Sequence, residues 1–95
     1  MSVSIKIVSN NEYEVTVKSK TVTTHLVTLS DEVHKNLTNE KVTKEELLDF
    51  SFKFLLDRES NTSILSSFEL TIISRYFSDY EKIVKSIWNK TERVV

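Results

Sequence analysis

The chain of 95 residues contains no glycine and no proline. Glycine is the residue that most readily adopts positive φ, and proline presets φ at turns. Asparagine and serine must therefore form the turns of this chain. Glycine-rich phosphate-binding loops are excluded, because in those loops the backbone approaches phosphate where a Cβ would not fit.

Composition restricts the class of protein further. The chain has no cysteine, which excludes disulfides and thiolate zinc sites. Thirteen basic and 14 acidic residues give a net charge of −1, so bulk charge does not favour nucleic-acid binding. The N-terminal segment lacks signal-peptide features, and no apolar run approaches the roughly 20 residues of a membrane span. The sequence predicts one cytoplasmic domain over residues 1–95, without membrane association and without a cofactor.

Alternating apolar and polar residues predict an antiparallel meander of three strands, over about 3–9, 12–18 and 21–29. Asn10-Asn11 is expected to form the first hairpin turn, since asparagine tolerates positive φ, and Ser19-Lys20 the second. The third strand has apolar residues on both of its faces. Either a bulge near His25 or burial of both faces explains that pattern.

The period changes to a helical one after residue 29. Ser30 is expected to cap a short helix. Three pairs with the spacing of a capping box predict further helix starts: Thr43 with Glu46, Ser66 with Glu69, and Ser78 with Glu81. Apolar residues surround most of the 44–58 helix, which indicates either a central position between the sheet and flanking helices or half of a homodimer core. The expected fold class is α+β, a three-stranded antiparallel meander followed by three to four helices packed on one face.

Candidate catalytic groups have simpler structural explanations. His25 and His34 lack a partner at metal-ligand spacing, and the serines cluster at helix starts, where capping accounts for them. We therefore predict no catalytic, cofactor-binding or metal-binding residue and a protein that is not an enzyme.

An aromatic group near the last helix is the strongest candidate for a binding surface. Tyrosine, tryptophan and arginine dominate binding hot spots, and the predicted partner-binding residues are Arg75, Tyr76, Phe77, Tyr80 and Trp88. The alternative is an aromatic corner that only packs two helices together. Nucleic-acid binding would use the exposed side of the last helix, at Lys82, Lys85 and Asn89. The expected function is a small binding or accessory protein that acts through a protein partner or a homodimer, with nucleic-acid binding as the alternative.

One region resembles a known set of proteins. The chain carries Leu56-Asp57-Arg58-Glu59-Ser60, Ser63-Ile64-Leu65, Phe68-Glu69-Leu70 and Tyr76-Phe77-Ser78-Asp79-Tyr80-Glu81. This run resembles that of short uncharacterised prokaryotic proteins with a Leu-x-Arg-Glu-Pro, Ser-Ile-Leu, Phe-Asp-Leu and Tyr-Phe-Pro-x-Tyr-Glu pattern, and residues 24–30 look similar too. Ser60 and Ser78 stand where those proteins tend to have proline. The resemblance implies a stand-alone prokaryotic protein and supplies neither an activity nor a site residue.

Overall fold

The computed structural model describes residues 2–89. Its strands are β1 (Ser2–Ile7), β2 (Glu12–Lys18), β3 (Val22–Thr28) and β4 (Ser67–Glu69), and its helices are α1 (Asp31–Thr38), α2 (Lys44–Leu56), α3 (Ile73–Tyr76) and α4 (Tyr80–Trp88). Short 3₁₀ turns occupy Asn61–Ser63 and Leu70–Ile72. The α+β class and the antiparallel meander are confirmed, whereas β4 was not predicted.

The sheet has the strand order β1-β2-β3-β4. The first three strands pair antiparallel, and β4 pairs parallel with β3, from Leu26 opposite Ser67 to Thr28 opposite Glu69. A parallel neighbour requires a crossover, and α1 and α2 lie in that connection. One face of the sheet is buried against the helices, including Val15, Val17 and Val27.

The third strand contains no bulge. Its pairing with β2 runs without interruption from Glu12 opposite Thr28 to Lys18 opposite Val22. His25 occupies a core-facing position and is 2% exposed, while Val22 on the opposite face is 59% exposed. The alternation is therefore regular, and it looked irregular in the sequence because a histidine takes an inward position.

Two of the predicted helix starts are confirmed in atomic detail. The Ser30 hydroxyl accepts a hydrogen bond from the backbone N–H of Val33 at 3.2 Å. In the capping box, the Glu46 N–H donates to Thr43 Oγ1 at 3.1 Å, and the Thr43 N–H donates to Glu46 Oε1 at 3.0 Å. Each such cap stabilises its helix by about 1 kcal/mol.

The prediction of a helix start at Ser66 and Glu69 is wrong. Residues 67–69 form β4 instead, and the Leu26 N–H donates to the Ser66 carbonyl at 2.8 Å. Pairing with β3 satisfies the backbone and buries Phe68 in the core. This combination outweighs the local capping pattern.

The prediction of a third capping box, formed by Ser78 and Glu81, is also wrong. The residue that precedes α4 is Asp79, and no side chain caps the helix. The Tyr80 N–H donates to the Phe77 carbonyl at 3.0 Å, so the chain enters α4 through a tight backbone turn. That turn provides a backbone partner at the helix start, where a side-chain cap would otherwise act.

Of the two explanations for the broad apolar surface of α2, the central position of the helix within one chain is confirmed. Leu47, Leu48 and Phe52 are completely buried within the single chain. In residues 2–89, no helix is long and apolar enough to cross a membrane.

Asparagine and serine were expected to form the turns in place of glycine, and the turns follow this expectation in part. Among residues 2–89, positive φ occurs only at Asn39 (53°) and Glu40 (59°), directly after α1. Asparagine is suited to this conformation, but a glutamate there carries steric strain of roughly 1–2 kcal/mol. The Asn10-Asn11 turn lies where predicted, yet neither asparagine adopts positive φ.

Candidate functional site

An apolar pocket of about 170 Å³ lies between the end of α2, the segment that leads into β4, and α3. We call it the α3 pocket. Its lining is mostly aliphatic and aromatic: Leu55, Glu59, Ser63, Ile64, Leu65, Phe68, Ile72, Ile73, Tyr76 and Phe77. A cavity of about 150 Å³ lined by similar side chains accommodates benzene. The α3 pocket therefore has room for one aromatic ring or one branched apolar side chain.

Two large side chains of the α3 pocket are exposed to solvent. Leu65 is 45% exposed and Tyr76 is 67% exposed. Single exposed apolar residues are normal on protein surfaces. Two of them that line the same apolar concavity match the composition of a binding site.

Arg58 fixes the position of the pocket wall next to α4. Its guanidinium lies 3.6 Å from the centroid of the Phe54 ring, and Nη1 donates to the Phe54 carbonyl at 3.1 Å. Nη2 also reaches Asp79 Oδ2 at 3.4 Å. The Phe54 ring in turn packs edge-on against Phe77, with 5.9 Å between the ring centroids. Arg58 thus connects the end of α2 to the residues that precede α4 and holds Phe77 in place.

A buried polar cluster of Thr23, His25 and Asn61 anchors the opposite wall to the sheet. His25 Nδ1 lies 2.7 Å from the Leu65 carbonyl, which can only accept, so Nδ1 carries the hydrogen. Asn61 Nδ2 donates to Thr23 Oγ1 at 3.0 Å and to the Thr21 carbonyl at 2.8 Å. The Thr23 hydroxyl then donates to His25 Nε2 at 2.8 Å. In this arrangement each of these donors has an acceptor, and the cluster fixes Leu65 through its backbone.

The second histidine also contacts the backbone. His34 Nε2 lies 2.5 Å from the Val42 carbonyl, across the turn between α1 and α2. Within residues 2–89, no group of three or more histidine, aspartate or glutamate side chains is arranged to hold a metal ion.

The predicted partner-binding residues separate into three locations. Tyr76 and Phe77 line the α3 pocket, and Arg75 beside them is exposed. Tyr80 is completely buried, with its hydroxyl 2.5 Å from Ser51 Oγ, and burial raises the pKa of its phenol. Trp88 lies elsewhere, edge-on to Phe50 at 5.2 Å between centroids. Tyr80 thus packs the helices together, as the alternative interpretation holds, whereas the Tyr76 side chain is exposed to solvent.

The residues of the nucleic-acid alternative are largely engaged within the chain. Lys85 pairs with Glu81 at 2.8 Å, and Asn89 Nδ2 donates to the Asn36 carbonyl at 2.6 Å. Lys82 is exposed. The Lys85–Glu81 ion pair reduces the positive charge that the α4 surface offers to phosphates, and the Asn89 amide already has a partner within the chain.

No sequence pattern indicated that Arg58, Ile64, Leu65 or Phe68 belongs to a site. Arg58 follows Phe54 at i, i+4, the spacing at which two side chains meet on a helix, and that spacing was a usable signal. Phe68 lies in β4 and Ile64 and Leu65 precede it, in a segment whose residue pattern is typical of a helix start.

Comparison of the chain with protein-family models, curated proteins and solved structures yields no match. The resemblance to short prokaryotic proteins therefore stays a prediction, and function has to be argued from the α3 pocket itself.

Proposed function

We propose that this protein is a small binding or accessory protein without catalytic activity, and that a bulky apolar side chain of a protein partner binds in the α3 pocket. The observation that supports the proposal is the apolar pocket with Leu65 and Tyr76 exposed among its lining residues. Tyrosine is common at binding hot spots because its ring combines a large apolar area with a hydrogen-bonding hydroxyl.

The size of the pocket indicates how tightly such a partner is held. Burial of one leucine- or phenylalanine-sized side chain contributes roughly 1.5–3 kcal/mol. A tenfold change in affinity corresponds to about 1.4 kcal/mol, so this contact alone accounts for roughly one to two orders of magnitude. The partner must therefore also cover the exposed parts of Leu65 and Tyr76, and the association is expected to be reversible.

The polar groups of the pocket support binding more than catalysis. Glu59 and Ser63 are among its lining residues, and Ser63 Oγ lies 3.3 Å from Ser60 Oγ. A nucleophilic serine needs a general base within hydrogen-bond reach. The described hydrogen bond of the Ser63 hydroxyl is to Ser60 and not to the Glu59 carboxylate, and no histidine belongs to the described lining. These groups are therefore better suited to orienting a bound chain.

Capture of partners by two matched variants tests the proposal. Leu65→Asp places a charge in the pocket lining, whereas Val22→Asp changes an apolar side chain of similar exposure on the opposite face of the sheet. A partner captured from native lysate by wild type should bind Val22→Asp with unchanged affinity. It should bind Leu65→Asp at least tenfold more weakly. Equal affinity for both variants, or no partner at all, would contradict the proposal.

A direct probe of the pocket requires no partner. Indole titrated into the labelled protein should shift the NMR resonances of Leu65, Tyr76 and Phe77, and it should leave those of Val22 unchanged. Shifts spread evenly over the surface would show that the pocket is not a preferred apolar site.

A further inference from the structure

Strand β1 forms an outer edge of the sheet, and no strand of the described chain lies beyond it. It is six residues long, and each residue pairs with β2 in a regular register. The opposite edge, β4, has only three residues. A regular edge strand without a bulge, a proline or a covering element offers its backbone groups to another strand.

The pattern of hydrogen bonds between β1 and β2 shows which residues of β1 direct their backbone N–H and C=O groups away from β2. The Val8 N–H donates to the Glu12 carbonyl at 2.9 Å, in the register that also places Lys6 opposite Glu14 and Ser4 opposite Thr16. Hydrogen-bonded and non-bonded pairs alternate along an antiparallel ladder. Ser4 and Lys6 therefore direct their backbone groups toward β2.

The remaining residues of β1 have the opposite orientation. Val3, Ile5 and Ile7 direct their N–H and C=O groups to the open edge of the sheet, while their side chains lie on the same face as those of Val17 and Val15 opposite them. The open edge thus offers the N–H and C=O groups of three residues, and the side chains of the same three residues are apolar and lie on the core face.

We propose that the partner at this edge is a second copy of the chain, paired antiparallel with Ile5 opposite Ile5 of the second copy. In that register Val3 lies opposite Ile7 of the second copy, and Ile7 opposite its Val3. Each outward residue then both donates and accepts a hydrogen bond. The two four-stranded sheets become one continuous sheet with two-fold symmetry.

Side-chain chemistry favours this register over the one centred on Lys6. On the core face every pair is apolar, and the contact covers Ile7, which is 57% exposed in the single chain. On the open face Lys6 lies opposite Ser4 of the second copy and keeps Glu14 of β2 on its other side. A register centred on Lys6 would place two lysines opposite each other, which is destabilising. A slip by one residue would misalign the N–H and C=O groups of the two β1 strands, and it would place apolar side chains of one copy opposite polar side chains of the other.

A groove beside β1 adds to the same surface. Its apolar part is formed by Ile5, Phe50 and Trp88, and the rest of its lining is the charged set Glu45, Glu46, Asp49 and Lys53 of α2. The apolar area at the edge is therefore continuous with α2 and α4, so a second copy that pairs with β1 approaches this groove as well.

Light scattering of the full chain over a concentration series tests the proposal. The expected mass is twice the 11.1 kDa of the chain. Ile5→Pro should yield a monomer with an unchanged circular dichroism spectrum, because the Ile5 N–H points away from β2, the one strand that pairs with β1 within residues 2–89, and proline is tolerated at edge strands. Ile7→Lys should also yield a monomer, and Val22→Lys, at a site of similar exposure (59%), should remain a dimer. A monomer at about 1 mM wild type, the range of very weak association, would overturn the proposal.

The register has its own test, helped by the absence of cysteine from the chain. Residues of a hydrogen-bonded antiparallel pair have Cα atoms about 5.5 Å apart, within the range that a disulfide spans. Ile5→Cys should form a covalent dimer under mild oxidation, and Ser4→Cys should form little. Equal cross-linking of both variants, or none of Ile5→Cys, would overturn the register. The pairing does not depend on the α3 pocket, so Leu65→Asp should remain a dimer.

Discussion

The polar cluster under β3 predicts the effect of removing a single hydroxyl. Thr23→Val keeps the shape and the β-branch of the side chain but removes the donor to His25 Nε2 and the acceptor for Asn61. Asn61 retains its bond to the Thr21 carbonyl at 2.8 Å. His25 Nε2 is left unpaired in a side chain that is 2% exposed, because Nδ1 must keep its hydrogen for the Leu65 carbonyl. A buried polar group without a partner costs roughly 1–3 kcal/mol.

Chemical and thermal denaturation of Thr23→Val should show this loss directly. We expect the free energy of unfolding to fall by about 2 kcal/mol, which for a domain of this size lowers Tm by roughly 8–16 °C. Thr24→Val is the matched control, since Thr24 is exposed on the open face of the sheet and should change stability by less than about 0.5 kcal/mol. Equal stability of the two variants would refute the argument. Nitrogen NMR of the imidazole provides a second check, because a hydrogen found on Nε2 would contradict the assigned bonds.

Three further predictions concern helix starts, backbone strain and pH. Thr43→Ala should lower the free energy of unfolding by about 1 kcal/mol, whereas Ser78→Ala should change it by less than about 0.5 kcal/mol because Ser78 caps no helix. Glu40→Gly should raise it by about 0.5–1 kcal/mol, since relief of the strain at φ 59° exceeds the added entropy of the unfolded chain. Tyr80→Phe should cost about 1 kcal/mol at neutral pH through the lost bond to Ser51. Burial raises the pKa of Tyr80, so the folded state keeps a proton that the unfolded state releases above about pH 10. Wild type should therefore lose stability as pH rises through that range, and a Tyr80→Phe titration as steep as that of wild type would contradict the assignment.

Local patterns were sufficient to predict the first half of the fold. Alternation placed the three antiparallel strands, and the caps at Ser30 and Thr43 follow from contacts within three residues of each cap. Strand β4 could not be predicted in this way. It is three residues long, too short to show alternation, and its partner β3 lies about forty residues earlier. Its sequence also has the spacing of a capping box, so only the long-range pairing decides between strand and helix.

The same reason explains why the candidate site was only partly predicted. Tyr76 and Phe77 were identified from their residue types, and both line the α3 pocket. The rest of the pocket depends on β4 and on the segment held by His25 and Asn61, whose contacts span about forty residues. The sequence left open whether a bulge near His25 or burial of both faces explains the pattern of the third strand. The inward position of His25 becomes clear only when the Leu65 carbonyl is placed beside it.

The two proposed surfaces have a defined relation within the sheet. The α3 pocket includes Phe68 of β4 at one edge, and the proposed pairing uses β1 at the other. A dimer through β1 therefore carries one pocket near each end of an eight-stranded sheet, whose outer strands are about 34 Å apart at a spacing of roughly 4.8 Å per strand. Such a dimer would bind a partner with two suitably spaced apolar side chains more tightly than a monomer does, with no new contact at either pocket. Ile5→Pro should then weaken binding to an immobilised, densely spaced partner while leaving the affinity of a single partner in solution unchanged, whereas Leu65→Asp should weaken both. If Ile5→Pro lowered the solution affinity as well, the β1 edge would belong to the partner-binding surface itself, and the two surfaces would not act independently.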